Sequence, residues 1–181
     1  TNNTSFNGGG IYGSGSPIFE NVLIKSNSAT GNFGNGIYFS GGSPTFTDSK
    51  IINNTGHVQG GGAAFYGGSV TIKNTLISNN SSAIGGGILA EFSSICVLSN
   101  VTIANNTGSG SGVYSRYDAE IELNNSIIWN SGDEELVNEL GGSIYAEYSI
   151  IKGGYYGNIE PGAGNSSQNP LFVDAANVWG V

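Results

Sequence analysis

Val70-Thr71-Ile72-Lys73-Asn74-Thr75-Leu76-Ile77-Ser78-Asn79-Asn80 decides the fold of this chain: two short runs mixing apolar and polar residues, the first in strict alternation, are separated by one Asn and closed by a pair. Runs this short are strands that cannot bury a core alone. Working outward, the same phrases return. Asn74-Thr75-Leu76-Ile77 is matched by Asn21-Val22-Leu23-Ile24, Asp48-Ser49-Lys50-Ile51, Asn100-Val101-Thr102-Ile103 and Asn125-Ser126-Ile127-Ile128, while Asn79-Asn80-Ser81 is matched by Asn53-Asn54-Thr55 and Asn105-Asn106-Thr107. A small-Gly-apolar unit recurs, at a nearly constant step, at Gly10-Ile11-Tyr12, Gly36-Ile37-Tyr38, Gly62-Ala63-Ala64, Gly87-Ile88-Leu89 and Gly112-Val113-Tyr114.

A repeat this short closes a core only by stacking on its neighbours, so the sequence predicts an all-β parallel solenoid of about six coils. Each coil is three short strands. Ile11, Ile37, Ile88 and Val113 point inward on the first face, Phe19, Phe46, Ile72, Leu98 and Leu123 on the second, and Ile24, Ile51, Ile77, Ile103, Ile128 and Ile151 on the third. The columns Asn21, Asp48, Asn74, Asn100, Asn125 and Asn53, Asn79, Asn105, Asn130 are expected to be structural, with stacked side-chain amides satisfying backbone groups at the bends. Residues 1–130 read as regular coils, 131–143 as an inserted acidic loop, and 144–181 as the last coil with a closing segment. Thr1-Asn2-Asn3-Thr4 fits the Asn-Asn phrase, so the sequence opens in mid-coil and reads as processed or trimmed.

Composition narrows the function classes. The length of 181 residues suits one domain, and 31 glycines leave too few helix formers for a bundle or an α/β fold. Thirteen acidic residues against five basic give a net charge of −8, which disfavours nucleic acid and anionic membrane surfaces as partners. With one Cys and one His, the chain lacks an intrachain disulfide and a zinc site, and no apolar run approaches the roughly 20 residues of a membrane span. Nothing in the residues calls for a cofactor.

The phrases GGGIY (8–12), SPTFTDSKIINNT (43–55) and VTIKNTLISNN (70–80) resemble right-handed parallel β-helix repeats of secreted and surface proteins, including those of polymorphic outer-membrane proteins. YSIIKGGYYGNIEPG (148–162) and NPLFVDAAN (169–177) resemble the end of many bacterial extracellular β-helix domains. The resemblance covers nearly the whole chain. It implies a right-handed β-helix and an extracellular or cell-surface location.

Enzymes on this fold generally cleave polysaccharides, so the resemblance directs attention to carboxylates on an outward face. Asp118, Glu120 and Glu122 alternate with inward Ala119, Ile121 and Leu123, placing three carboxylates along one side of a strand about 6.8 Å apart. That spacing suits an inverting acid/base pair or a Ca²⁺ site. The preceding coil offers only Ser93, Ile95 and Val97 beside them, so a solvated acidic face competes with both. Arg116 is expected to pair with Asp118; as a lyase base it would need basic company, and Lys25, Lys50, Lys73 and Lys152 are scattered. His57 reads as a turn residue and Cys96 as a small inward apolar one.

The outward column Tyr12, Tyr38, Ala64, Leu89, Tyr114 is the candidate glycan contact, since exposed rings stack on sugars as well as on each other. The first coil shows no capping charge or proline ahead of Pro17, so self-association through coil ends is expected. Together these readings favour an extracellular structural or adhesive module. The rival is a polysaccharide-active enzyme built on the acidic cluster.

Overall fold

Three long parallel sheets wrap one core, with two further two-stranded pairs, Thr4–Ser5 with Ser28–Ala29 and Ser81–Ile84 with Thr107–Ser109, in the computed structural model, which describes residues 1–57, 59–132, 134–153 and 160–172. No helix occurs among the described residues. The first face stacks Ile11–Gly13, Ile37–Phe39, Ala63–Tyr66, Ile88–Glu91, Val113–Arg116 and Leu136–Glu139. The second stacks Ile18–Glu20, Thr45–Thr47, Ser69–Lys73, Ile95–Ser99, Glu120–Asn124, Ser143–Glu147 and Glu160–Pro161, and the third runs from Leu23–Lys25 through Leu76–Ser78 to Ile150–Ile151. Equivalent residues of successive coils are register partners, as Ile51, Ile77 and Ile103 show. The predicted inward columns form the core, and Ile37, Phe46, Ile72, Ile77, Leu98, Ile103 and Ile121 are fully buried. Ile11 and Phe19, on the end strands of their sheets, pack on it half-buried.

The Gly column is enforced by close approach between coils. A Cβ on Gly62 would lie 2.5 Å from the Gly87 carbonyl oxygen, so only glycine lets the backbones stack there.

The second Asn column forms, shifted by one residue. Asn53, Asn79 and Asn105 adopt left-handed φ of 57°, 55° and 57°, which turns the following residue inward. The buried ladder is therefore Asn27, Asn54, Asn80, Asn106 and Asn130, with only Asn130 as expected. Each backbone N–H and each Nδ2 donates to the Oδ1 of the next rung, at 2.9 and 3.0 Å from Asn80 to Asn106. The first column also differs from expectation. Asn21, Asp48, Asn74, Asn100 and Asn125 occupy left-handed bends, where Asn100 donates to Asn74 and Asn74 to Asp48 along the outside. The N–H groups of Val22, Val101 and Ser126 are met instead by the hydroxyls of Ser49, Ser126 and Ser149.

Residues 131–143 do not form a loop throughout. Leu136–Glu139 pairs in register with Val113–Arg116, and Leu136 is buried like Val113 above it. Its acidic neighbours disguise a strand whose inward position is still apolar. Buried Glu135 ends the Asn ladder, accepting from the Asn130 N–H at 2.7 Å and from its Nδ2 at 2.6 Å. Burial raises the Glu135 carboxyl above its ordinary value, against the lowering effect of the Asn130 donors and Lys152. A carboxyl raised on folding contributes stability that is complete below its unfolded pKa and lost as pH rises through the folded one. Urea midpoints should therefore show Glu135 favouring the fold as pH falls toward the ordinary glutamate value of about 4.3, and Glu135→Gln should remove that part of the pH dependence. An unchanged pH profile in Glu135→Gln would contradict the assignment.

Candidate functional site: an ion pair beneath an aromatic ridge

From the third coil onward the last residues of the first-face strands share one outward column, which reads Tyr66, Glu91, Arg116, Glu139. Because parallel strands stack in register, outward side chains one repeat apart become neighbours roughly 4.8 Å apart. Arg116 Nε accordingly donates to Glu91 Oε1, and the Glu91 side chain is fully buried while that of Arg116 is 13% exposed. This overturns the expected pairing of Arg116 with Asp118. Tyr117 and Asp118 have φ of 54° and 60°, so the chain bends between the two charges. Burial opposes the Arg116 charge, yet the Glu91 carboxylate more than offsets this and the guanidinium pKa is raised.

Aromatic rings enclose the pair. The Arg116 guanidinium lies 5.8 Å from the Tyr114 ring centre and 5.2 Å from that of Tyr117, within cation–π range. Tyr66 is pushed up by burial and then by Glu91, Tyr114 by burial and then by Glu139, and Tyr38 by burial, Tyr12 and Glu91. These phenols stay protonated at neutral pH and offer O–H groups, not phenolates.

The expected outward tyrosine surface is only partly a surface. Tyr12 is 62% exposed, but Tyr38 and Tyr114 are 8% and 4% exposed, in a second apolar cluster with Ala64 and Leu89. They point away from the main core as alternation requires, and Phe33, Tyr66, Ile84 and Val137 pack over them. Phe33 stacks on Tyr38 at 5.3 Å and 18°. Tyr38 and Tyr114 are thus not presented to a glycan.

The exposed rings stand at the bend that follows each first-face strand. Gly41 and Gly67 adopt φ of 92° and 72° there, and the next coils place Phe92, Tyr117 and Leu140 at 53°, 54° and 48°. A bulky side chain in the left-handed region costs on the order of 1 kcal/mol, a strain that draws attention to what the position presents. Phe92, Tyr117 and Leu140 are 51%, 37% and 62% exposed, and the first two rings stack at 4.9 Å with 12° between planes. Tyr66 extends the row, 4.9 Å from Phe92.

The acidic candidates are dispersed by comparison. Asp118 lies in the bend before strand Glu120–Asn124, exposed Glu120 stands between Ile95 and Ser143, and half-buried Glu122 between Val97 and Tyr145. No three His, Cys, Asp or Glu side chains come together as a metal-holding group among the described residues. An open groove of about 470 Å³ follows the bends at Asp48, Asn74 and Asn100, with one carboxylate and the ammonium of Lys50 in it. His57 is exposed, and burial pushes the Cys96 thiol up to about 12, which removes it as a nucleophile.

Glu91 was not singled out by the sequence reading. The signal was present as opposite charges at equal positions of successive repeats, outside the Gly, Ile and Asn phrases that define the period.

Stacked parallel coils, inward aliphatic columns and a buried Asn ladder define a parallel β-solenoid. The chain belongs to the right-handed β-helix region family, whose model matches residues 1–152. Comparison with curated proteins and with solved structures finds no match.

Proposed function

We propose that this β-helix is a non-catalytic extracellular or cell-surface structural and adhesive module, with the Phe92–Tyr117–Leu140 ridge as its glycan-recognition surface. The observation carrying this reading is the ridge itself: three successive coils hold apolar side chains in solvent on a backbone that earlier coils reserve for glycine. Evenly spaced, rigidly held apolar side chains suit contact with the apolar faces of sugar rings. The Glu91–Arg116 pair beneath fixes Tyr117 through its cation–π contact. Asp118, Glu120 and Glu122 support catalysis less well, because the register neighbours of Glu120 and Glu122, namely Ile95, Ser143, Val97 and Tyr145, supply no second carboxylate.

A glycan array tests this. Binding is expected and should weaken roughly tenfold for each of Phe92→Gly and Tyr117→Gly, the order of magnitude of one ring contact. Neither variant should melt earlier from backbone effects, since glycine relaxes a left-handed residue. Release of reducing or unsaturated sugars, abolished by Glu120→Gln, would establish the polysaccharide-active reading in its place.

A further inference from the structure

We infer that the ridge takes a cationic amino-sugar polymer, of the kind built from glucosamine with a free amine, and turns away polyuronates. The inference rests on the ridge being the glycan surface and adds the charge of its ligand. Carboxylates flank the ridge on both sides. Exposed Glu139 precedes Leu140, exposed Asp118 follows Tyr117, and exposed Glu120 is the register partner of Ile95, which is itself 43% exposed. The Asp118 side chain leans along the row toward the next coil: its Oδ1 lies so close to Gly141 that a Cβ there would overlap it, which brings the carboxylate beside Leu140.

Among the described residues, the one cation next to any of these groups is Arg116, the register partner of Glu139. Between Ile88 and Tyr148, the stretch that supplies the ridge and the strands on either side of it, Arg116 is the only Lys or Arg in the sequence. Its charge is spent on Glu91, which is fully buried below the ridge. An incoming uronate would therefore meet Asp118, Glu120 and Glu139 with no free guanidinium or ammonium to neutralise it, and like charges brought together disfavour the complex. An ammonium meets the opposite field. The exposed parts of the Phe92 and Tyr117 rings beside these carboxylates give apolar contact for the C–H face of the same sugar. A polymer of amino sugars offers both features in each unit, and the ridge sets the rings of Phe92 and Tyr117 beside the exposed carboxylates of Asp118, Glu120 and Glu139.

Titration calorimetry at low salt and mildly acid pH, where the amine carries its proton, tests this with three oligomers of equal length: glucosamine, N-acetylglucosamine and galacturonate. The glucosamine oligomer should bind about tenfold more tightly than the N-acetylated one, and galacturonate should not bind. Asp118→Asn with Glu120→Gln should remove that preference, while Glu20→Gln, exposed on the first coil, should leave it. Tyr117→Gly should weaken the glucosamine oligomer roughly tenfold, which separates seating on the ridge from general attraction to an acidic protein. Equal binding of the charged and acetylated oligomers would overturn the inference and leave the ridge as a neutral-glycan surface. Glucosamine binding that ignores Tyr117→Gly would overturn it too, and binding of none of the three would overturn the ridge reading with it.

Discussion

Ile77→Asp is expected to abolish the cooperative unfolding transition of the rod. Ile77 is fully buried and lies in register between Ile51 and Ile103, so the substitution acts on both coil interfaces of a middle rung. It removes roughly 1.5–3 kcal/mol of apolar burial and leaves an unpaired carboxylate among aliphatic side chains. The sum approaches the whole stability of a typical domain, about 5–15 kcal/mol. Because a solenoid is held by nearest-neighbour contacts, a failed middle rung separates the coils on either side. Far-UV circular dichroism during a thermal scan gives the answer, with Ile18→Asp as the comparison. Ile18 is the same residue type, 75% exposed on the outer side of the first coil, and its variant should melt like the parent chain. A normal melt for Ile77→Asp would mean that the third-face column does not face the core.

The next largest effect belongs to the ion pair. Arg116→Ala should cost about 3–5 kcal/mol, because it leaves the Glu91 carboxylate buried without its counter-charge. Replacing both residues, as Glu91→Leu with Arg116→Leu, should bring stability back to the parent value or above it, since Tyr38, Tyr66 and Tyr114 already make the neighbourhood aromatic. Denaturant midpoints of the two single variants and the double variant complete the cycle. If the double variant is as unstable as Arg116→Ala alone, packing of the arginine stem decides the effect and not the stranded charge.

Such a pair matters for how the ridge is held. Parallel pairing brings Arg116 under the Tyr117 ring and places Glu91 just before Phe92, so the charges sit one residue ahead of each strained bend. A glycine at either bend would be more relaxed and would present nothing. The strain at Phe92, Tyr117 and Leu140 is thus tied to exposing side chains there.

From the sequence alone came the period, the parallel stacking and the inward aliphatic columns. Alternation makes the side of a strand a matter of parity, and Ile24, Ile51, Ile77, Ile103 and Ile128 repeat the same parity in each coil. Only the tertiary structure decided which of two adjacent asparagines enters the core, because a left-handed φ at Asn53, Asn79 and Asn105 is a backbone choice that either asparagine of the pair accepts equally. It alone showed that Tyr38 and Tyr114 lie in a covered cluster with Phe33 and Ile84, since parity says which way a side chain leaves its own sheet and nothing about what folds over it. And it alone joined Glu91 to Arg116: the two stand a full repeat apart in the chain, and their meeting depends on the register of one particular pair of coils.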